Sequence, residues 1–139
     1  VGSDHPSVAT ARGRLVRRGG TRRLAVAVPE DGDVPTPDGA TVRLVVDGRE
    51  RHAPVRPRDA GWLLAGAYDN ARLARERTGT DRLATWTDAR GLEPGRSVLV
   101  DAVEPGEVYG LREPGERAVY GARRGPADSL RRIAEDVDR

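Results

Sequence analysis

The chain has 139 residues, 33% of them charged and 37% hydrophobic, and its 24 basic and 22 acidic residues leave a formal charge of +2. That length is enough for one domain and too short for two of ordinary size. Every basic residue is arginine, and the absence of cysteine excludes thiol nucleophiles, thiolate metal sites and disulfides. With no apolar run near ~18 residues and no signal-peptide pattern, the sequence predicts a cytoplasmic globular protein without a membrane contact.

The first predicted element is an arginine-rich hairpin that follows a loosely held arm over residues 1–10. In residues 11–29, apolar positions such as Leu15, Leu24 and Val26 flank Gly19-Gly20, a pair that suits a turn with positive φ. Six arginines lie in this hairpin with no acidic residue among them: Arg12, Arg14, Arg17, Arg18, Arg22 and Arg23.

A second hairpin is predicted over residues 41–56, after a loop rich in Pro, Gly and acidic residues. Val42, Leu44 and Val46 alternate with other residues up to Asp47-Gly48, which fits a two-residue type I′ turn. A helical insertion follows over about residues 60–91. It is expected to hold two short helices, at 67–77 and 81–90, with Thr80 or Asp81 as a cap and Gly91 as a stop.

The last section is marked by Glu-Pro-Gly, which occurs three times, at 93–95, 104–106 and 113–115. Pro followed by Gly suits a type II turn, so the segments between the turns predict a three-strand meander. Residues 126–139 have the spacing of an amphipathic helix that packs onto the sheet or binds a partner. Its candidate partner-binding residues are Leu130, Ile133 and Val137.

These elements predict an α+β fold with one β-rich domain over residues 11–125, the helical insertion and the C-terminal helix. Several short, mainly antiparallel strands favour a barrel or a curled sheet, because closure removes exposed edges. We therefore expect a small antiparallel pseudobarrel.

Candidate catalytic and metal sites are few. A phosphate loop of the G-x-x-x-x-G-K type needs a lysine, His5 and His52 form no metal-binding pattern, and Ser97 lacks the G-x-S-x-G context. Asp101, with Glu104 and Glu107, is expected on a solvated turn. The sequence therefore predicts no catalytic residue, no metal, no cofactor and no enzymatic activity.

The arginine hairpin is the feature on which a functional hypothesis depends. Six like charges close together repel one another, and a polyanion would compensate them, which favours DNA or RNA binding. The alternative for the hairpin is a solvated strand pair whose arginines reflect GC-rich codons or guard an edge. The alternative for the protein is an interaction or assembly module, a homo-oligomer included, that uses the C-terminal helix or a strand edge.

Nearly the whole chain resembles a family of small, uncharacterised haloarchaeal proteins, for which no activity is implied. The segments that carry this resemblance are SDHPSV at 3–8, GTRR at 20–23, GAYDNARLAR at 66–75, GRSVLVD at 95–101 and YGLREPGERAVY at 109–120. The charge differs from the strongly acidic balance usual in proteins of salt-accumulating archaea.

Residues 11–112 also resemble the DNA-binding pseudobarrel of plant transcription factors and of a restriction-enzyme effector domain. The segment from Leu24 to Pro29, the Asp47-Gly48 hairpin, and Trp86, Leu92 and Gly95 before the next strand follow a similar order. The helix expected after Pro29 is missing, and Arg96 replaces the usual Asp. The resemblance implies DNA contacts from the first hairpin and from a mid-chain loop with these residues: Arg49, Arg51, Arg56 or Arg58.

Overall fold

A computed structural model describes residues 8–18, 23–30, 33–37, 39–118 and 120. In this part of the chain, seven strands close into a barrel in the order β1-β2-β5-β4-β3-β7-β6. The strands are β1 (Ala9–Arg17), β2 (Leu24–Pro29), β3 (Thr41–Val46), β4 (Arg49–Arg58), β5 (Gly61–Leu64), β6 (Ser97–Glu104) and β7 (Val108–Arg112), and the helices are α1 (Ala71–Glu76) and α2 (Arg82–Arg90). The predicted β-rich barrel is confirmed.

The pairing of the barrel is mainly antiparallel, as expected, with one exception. β3 pairs with β7 in parallel, with Leu44 opposite Tyr109. This contact joins the second hairpin to the last two strands and, together with the β1–β6 pairing, closes the barrel. Closure leaves no strand with an unpaired edge in the ring, which removes the usual template for aggregation.

The first hairpin forms as predicted, and β1 begins earlier than expected. Ala9 and Thr10 pair with Ala102 and Asp101 of β6, so the predicted arm over residues 1–10 does not extend to its last two residues. Residues 1–7 lie outside the described part of the chain.

The second hairpin is also confirmed, and its turn has the expected chemistry. Asp47 has a φ of 52° and Gly48 a φ of 74°, which are the two positive angles of a type I′ turn. Such a turn matches the right-handed twist of the flanking strands, so a single Asp-Gly pair sets the register of β3 and β4.

The predicted start of the helical insertion at residue 60 was wrong, because Gly61–Leu64 forms β5. This strand pairs with β2 on one side and β4 on the other, and it places Trp62 and Leu64 in the core. The backbone of Val28 passes so close to Gly61 that a Cβ there would collide with the Val28 carbonyl. Tertiary pairing therefore overrides the helical propensity of the leucines.

Both short helices are present and are capped by side chains, but α1 begins at Ala71, four residues later than predicted. Asn70 accepts a hydrogen bond from the Leu73 amide and begins α1, while Asp81 accepts one from the Leu83 amide and begins α2. Gly91 ends α2 in the left-handed conformation. Leu83 and Trp86 of α2 are buried in the barrel core.

The third strand of the predicted meander is not present: residues 116–118 and 120 are not in a strand. Tyr120 instead packs on Gly110 of β7, where any side chain would collide with its ring. The predicted C-terminal helix over residues 126–139 lies outside the described residues. Within the described part of the chain, neither helix is long and apolar enough to cross a membrane.

Candidate nucleic-acid interface

Two arginines of β1, Arg12 and Arg14, lie on the outer surface of the barrel. Arg12 and Arg14 are exposed, and they alternate with Ala11, Gly13 and Leu15, which are buried. This is the two-residue period of a strand with one face on a core. Because the core side is filled by small and apolar residues, both guanidinium groups are presented to solvent.

The end of the hairpin adds two more arginines to the same outer surface. The Arg18 amide donates a 2.9 Å hydrogen bond to the Arg23 carbonyl, which continues the register of β1 and β2. Residues opposite each other in such a pair have their side chains on one face. The Arg18 Nη1 also donates to the Ala65 carbonyl just beyond β5, at 3.3 Å. Arg17 is exposed at the strand end on the alternate face, and Arg22 lies outside the described residues.

A row of cross-strand neighbours carries the positive surface onto β4. Arg14 lies opposite Ala27 of β2, Ala27 lies opposite Leu63 of β5, and Leu63 lies opposite Arg56 of β4. Three strand spacings separate the two arginines, about 14 Å between their backbones. Both arginines lie on the outer side of the barrel, where Arg14 is exposed and Arg56 is half-buried.

Arg77 lies close enough to this group for its charge to act on Arg18. Burial and the nearby charges of Arg77, Arg23 and Arg56 lower the pKa of Arg18. Arg77 ends α1 with a φ of 55° and is exposed. We call this surface the arginine face; its described members are Arg12, Arg14, Arg18, Arg23, Arg56 and Arg77.

Arg49 and Arg51 lie elsewhere, on the opposite side of β4 from Arg56. Both line a cleft of about 190 Å³ with Trp86 and other residues of α2. The Arg51 Nη1 lies 2.6 Å from a carboxylate oxygen of Asp69, which Arg82 also binds through two nitrogens. The hydrogen bond from Arg82 lowers the pKa of Asp69. Arg51 is thus engaged within the protein.

The sequence pattern did not indicate Arg77 as a site residue. It is the C-cap of α1, where glycine is the usual residue, and its role depends on where α1 packs. Arg56 was indicated only by the pseudobarrel resemblance. The predicted partner-binding residues Leu130, Ile133 and Val137 lie beyond the described part of the chain, so their role stays a prediction.

Asp101, predicted on a solvated turn, is instead buried in β6 and fully bonded. Arg112 donates from Nε and Nη2 to its two oxygens, at 2.8 and 3.2 Å. The hydroxyls of Thr10 and Tyr120 donate to the same carboxylate. The expectation failed because Asp101 lies within the strand, on an outer face that Tyr120 covers. This carboxylate is a structural anchor of β1, β6 and β7.

Arg90 forms a second internal ion-pair cluster. It donates to Glu113 at 2.7 Å, to Glu116 at 3.0 Å and to Asp47 at 2.6 Å, and it lies 5.1 Å from the centre of the Trp86 ring. These hydrogen bonds raise the pKa of Arg90. Within the described residues, no group of three or more His, Asp or Glu side chains is arranged to hold a metal ion.

Residues 1–137 match the protein family described as "Family of unknown function (DUF7112)". The chain belongs to this family. No curated protein and no solved structure matches it. Membership confirms the expectation of an uncharacterised family; that its members are haloarchaeal stays a prediction. The family carries no activity to transfer, so a function must be argued from the arginine face itself.

Proposed function

We propose that this protein is a non-catalytic nucleic-acid-binding protein, with DNA as the favoured partner, and that the arginine face contacts the phosphate backbone. The observation that carries the proposal is that the outer side of β1 and β2 presents Arg12, Arg14, Arg18 and Arg23 together. The described residues of this hairpin, 9–18 and 23–29, contain no acidic side chain. Elsewhere, arginines such as Arg90 and Arg112 are bound by carboxylates.

Charge crowding supports a polyanionic partner. The pKa of Arg18 is lowered by burial and by three neighbouring arginines, so these cations repel one another in the isolated protein. A row of phosphates would relieve that repulsion and release condensed counterions. Guanidinium groups suit this role because their planar fork binds two phosphate oxygens at once.

The resemblance to the DNA-binding pseudobarrel also suggests the first hairpin as a DNA contact. It suggests a second DNA contact from a mid-chain arginine. Of the four mid-chain arginines it suggests, Arg56 lies on the arginine face and Arg51 is bound to Asp69. We therefore assign the second contact to Arg56, with the exposed Arg58 two residues further along β4. If the source is haloarchaeal, binding at molar salt would require more than phosphate contacts, because each contact weakens steeply with salt.

The test is a titration with fluorescent duplex DNA and single-stranded RNA at 0.1 and 0.3 M salt. This range, about threefold, is wide enough to measure the salt slope, which is the change in log affinity with log salt concentration. The variant Arg12→Ala/Arg14→Ala/Arg23→Ala is expected to weaken binding at least 100-fold at the lower salt, roughly eightfold for each phosphate contact. The slope of log affinity against log salt concentration should also become shallower by about 0.9 for each lost phosphate contact.

The matched control is Arg43→Ala/Arg72→Ala/Arg75→Ala, which removes the same charge outside the arginine face. We expect it to retain binding within a few fold of the wild type. Equal losses in the two variants would show that only net charge matters, and unchanged binding in the first variant would contradict the proposal.

A further inference from the structure

The hydroxyl of Tyr68 is a buried donor without a partner. Tyr68 is 1% exposed, and its hydroxyl makes no hydrogen bond within the described residues. Buried polar atoms are nearly always bonded, so an orphan in a folded protein calls for an explanation. The backbone of Tyr68 is held in place, because its amide and carbonyl exchange 2.8 Å hydrogen bonds with those of His52 on β4.

Charges of both signs act on this hydroxyl. Burial, the largest cause, and the charge of Asp81 raise the pKa of Tyr68, while the charges of Arg23, Arg18 and Arg77 lower it. Asp81 is occupied, since its Oδ1 accepts from the amides of Ala67 and Leu83, both at 3.0 Å. The phenol therefore keeps its proton and has no acceptor, beside a group of positive charges.

Gly66 leaves the space beside the ring. A Cβ at this position would lie 3.0 Å from Cε2 and 3.2 Å from the hydroxyl oxygen of Tyr68. Its φ of 125° also lies in the region that only glycine adopts readily. The chain therefore passes the hydroxyl without a side chain.

We propose that Tyr68, Arg18, Arg23 and Arg77 form a binding site for a single phosphate group. The three guanidinium groups neutralise the phosphate, and the Tyr68 hydroxyl donates a hydrogen bond to one of its oxygens. The site rests on the proposed function, because it lies within the arginine face and takes the phosphate from the bound nucleic acid. Because Tyr68 is 1% exposed, a phosphate reaches its hydroxyl only when neighbouring side chains shift. Arg18 lies close to this site, since its Nη1 donates to the Ala65 carbonyl, next to Gly66, at 3.3 Å.

The first test measures thermal unfolding in sodium phosphate and in sodium chloride of equal ionic strength. Millimolar phosphate is expected to raise the wild-type midpoint by about 3–6 °C relative to chloride, because it binds only the folded state. Tyr68→Phe should be at least as stable as the wild type in chloride, since it removes an unpaired buried hydroxyl, and its phosphate affinity should fall roughly fivefold or more.

Two outcomes would overturn the site. One is a wild-type midpoint that does not differ between phosphate and chloride. The other is a phosphate response in Tyr68→Phe equal to that of the wild type, with lower stability in chloride, which would make the hydroxyl merely structural. Arg77→Ala should lose the phosphate response and Arg75→Ala, an exposed neighbour on α1, should keep it.

A second arm identifies the source of the phosphate and separates this site from the proposed function. Tighter binding of a 5′-phosphorylated oligonucleotide than of its 5′-hydroxyl form, lost in Tyr68→Phe, assigns the site to a terminal phosphate. Equal binding of both forms, weakened alike by Tyr68→Phe, assigns it to an internal phosphodiester.

Nucleic-acid binding without any phosphate response would refute this site and leave the proposed function intact. A phosphate response without nucleic-acid binding would refute the proposed function.

Discussion

The arginines at two regions of the barrel differ in what neutralises them. At the β6–β7 side, Arg112 is bound to the buried Asp101, and at the end capped by α2, Arg90 is bound by three carboxylates. On the arginine face, the described hairpin residues offer no carboxylate to Arg12 or Arg14. The same residue type therefore forms ion pairs within the protein in one region and is exposed, at Arg12 and Arg14, in the other.

This difference shows that the count of arginines says little about function, while their partners say much. The acids that bind Arg90 come from turns that are distant in the chain, at Asp47 and around Glu113. Such pairs neutralise Arg90 and Arg112 locally, whereas the described residues of the hairpin contain no acidic side chain. A net charge of +2 is thus compatible with one strongly cationic surface.

Breaking the buried pair should have the largest effect on stability. Arg112→Ala leaves the Asp101 carboxylate buried without its counter-charge, so we expect a loss of about 3–5 kcal/mol in the free energy of unfolding. Urea denaturation followed by circular dichroism measures it. A loss below about 1 kcal/mol would contradict the assignment of this ion pair as a structural anchor.

Replacing two arginines of β4 one at a time tests the difference between a proposed DNA contact and an internal ion pair. Arg56→Ala should weaken DNA binding roughly eightfold at 0.1 M salt and reduce the salt slope by about 0.9, with little change in stability. Arg51→Ala, which breaks the contact with Asp69, should leave DNA affinity unchanged. Fluorescence anisotropy at several salt concentrations measures the DNA affinity of both variants. A larger loss of affinity in Arg51→Ala than in Arg56→Ala would contradict the assignment of Arg56 to the DNA contact.

Removing the Tyr120 hydroxyl should have a smaller effect, with a defined pH dependence. Tyr120→Phe takes one donor from the buried Asp101 and should cost about 1–2 kcal/mol near pH 7.

The direction in which stability changes at high pH follows from the pKa of Tyr120. Burial, the hydrogen bond to Asp101 and the Asp101 charge raise the pKa of folded Tyr120, so the unfolded chain loses this proton first, near pH 10. Its contribution is constant below that pH and then falls by about 1.4 kcal/mol per unit as the pH rises towards the folded pKa. Unfolding measured from pH 8 to 11 should show this decline in the wild type and a shallower one in Tyr120→Phe; parallel curves would contradict it.

The smallest effect is expected for an exposed ion pair outside both regions. Arg72 on α1 lies 3.3 Å from Glu76, four residues later, and its side chain is 63% exposed. Arg72→Ala should change the free energy of unfolding by about 0.5 kcal/mol or less and leave DNA affinity within a few fold. A loss comparable to that of Arg112→Ala would remove the distinction between buried and exposed arginine pairs.

Interactions between near neighbours in the chain were predictable from the sequence. The Asp47-Gly48 turn, the alternation along β3 and the caps at Asp81 and Gly91 each depend on a few adjacent residues, and all four were predicted. The exposure of Arg12 and Arg14 on one face of β1 has the same local origin, because they alternate with small and apolar residues.

What tertiary structure alone decided is how distant segments meet. The parallel β3–β7 pairing, the recruitment of Gly61–Leu64 into the barrel and the burial of Asp101 depend on partners many residues away. The placement of Arg56 and Arg77 near the hairpin also depends on tertiary structure, because β5 must lie between β2 and β4 and the end of α1 must lie near Arg18. Local propensity determined the hairpins and helices, and barrel closure determined which arginines meet a carboxylate from a distant segment, as Arg90 and Arg112 do.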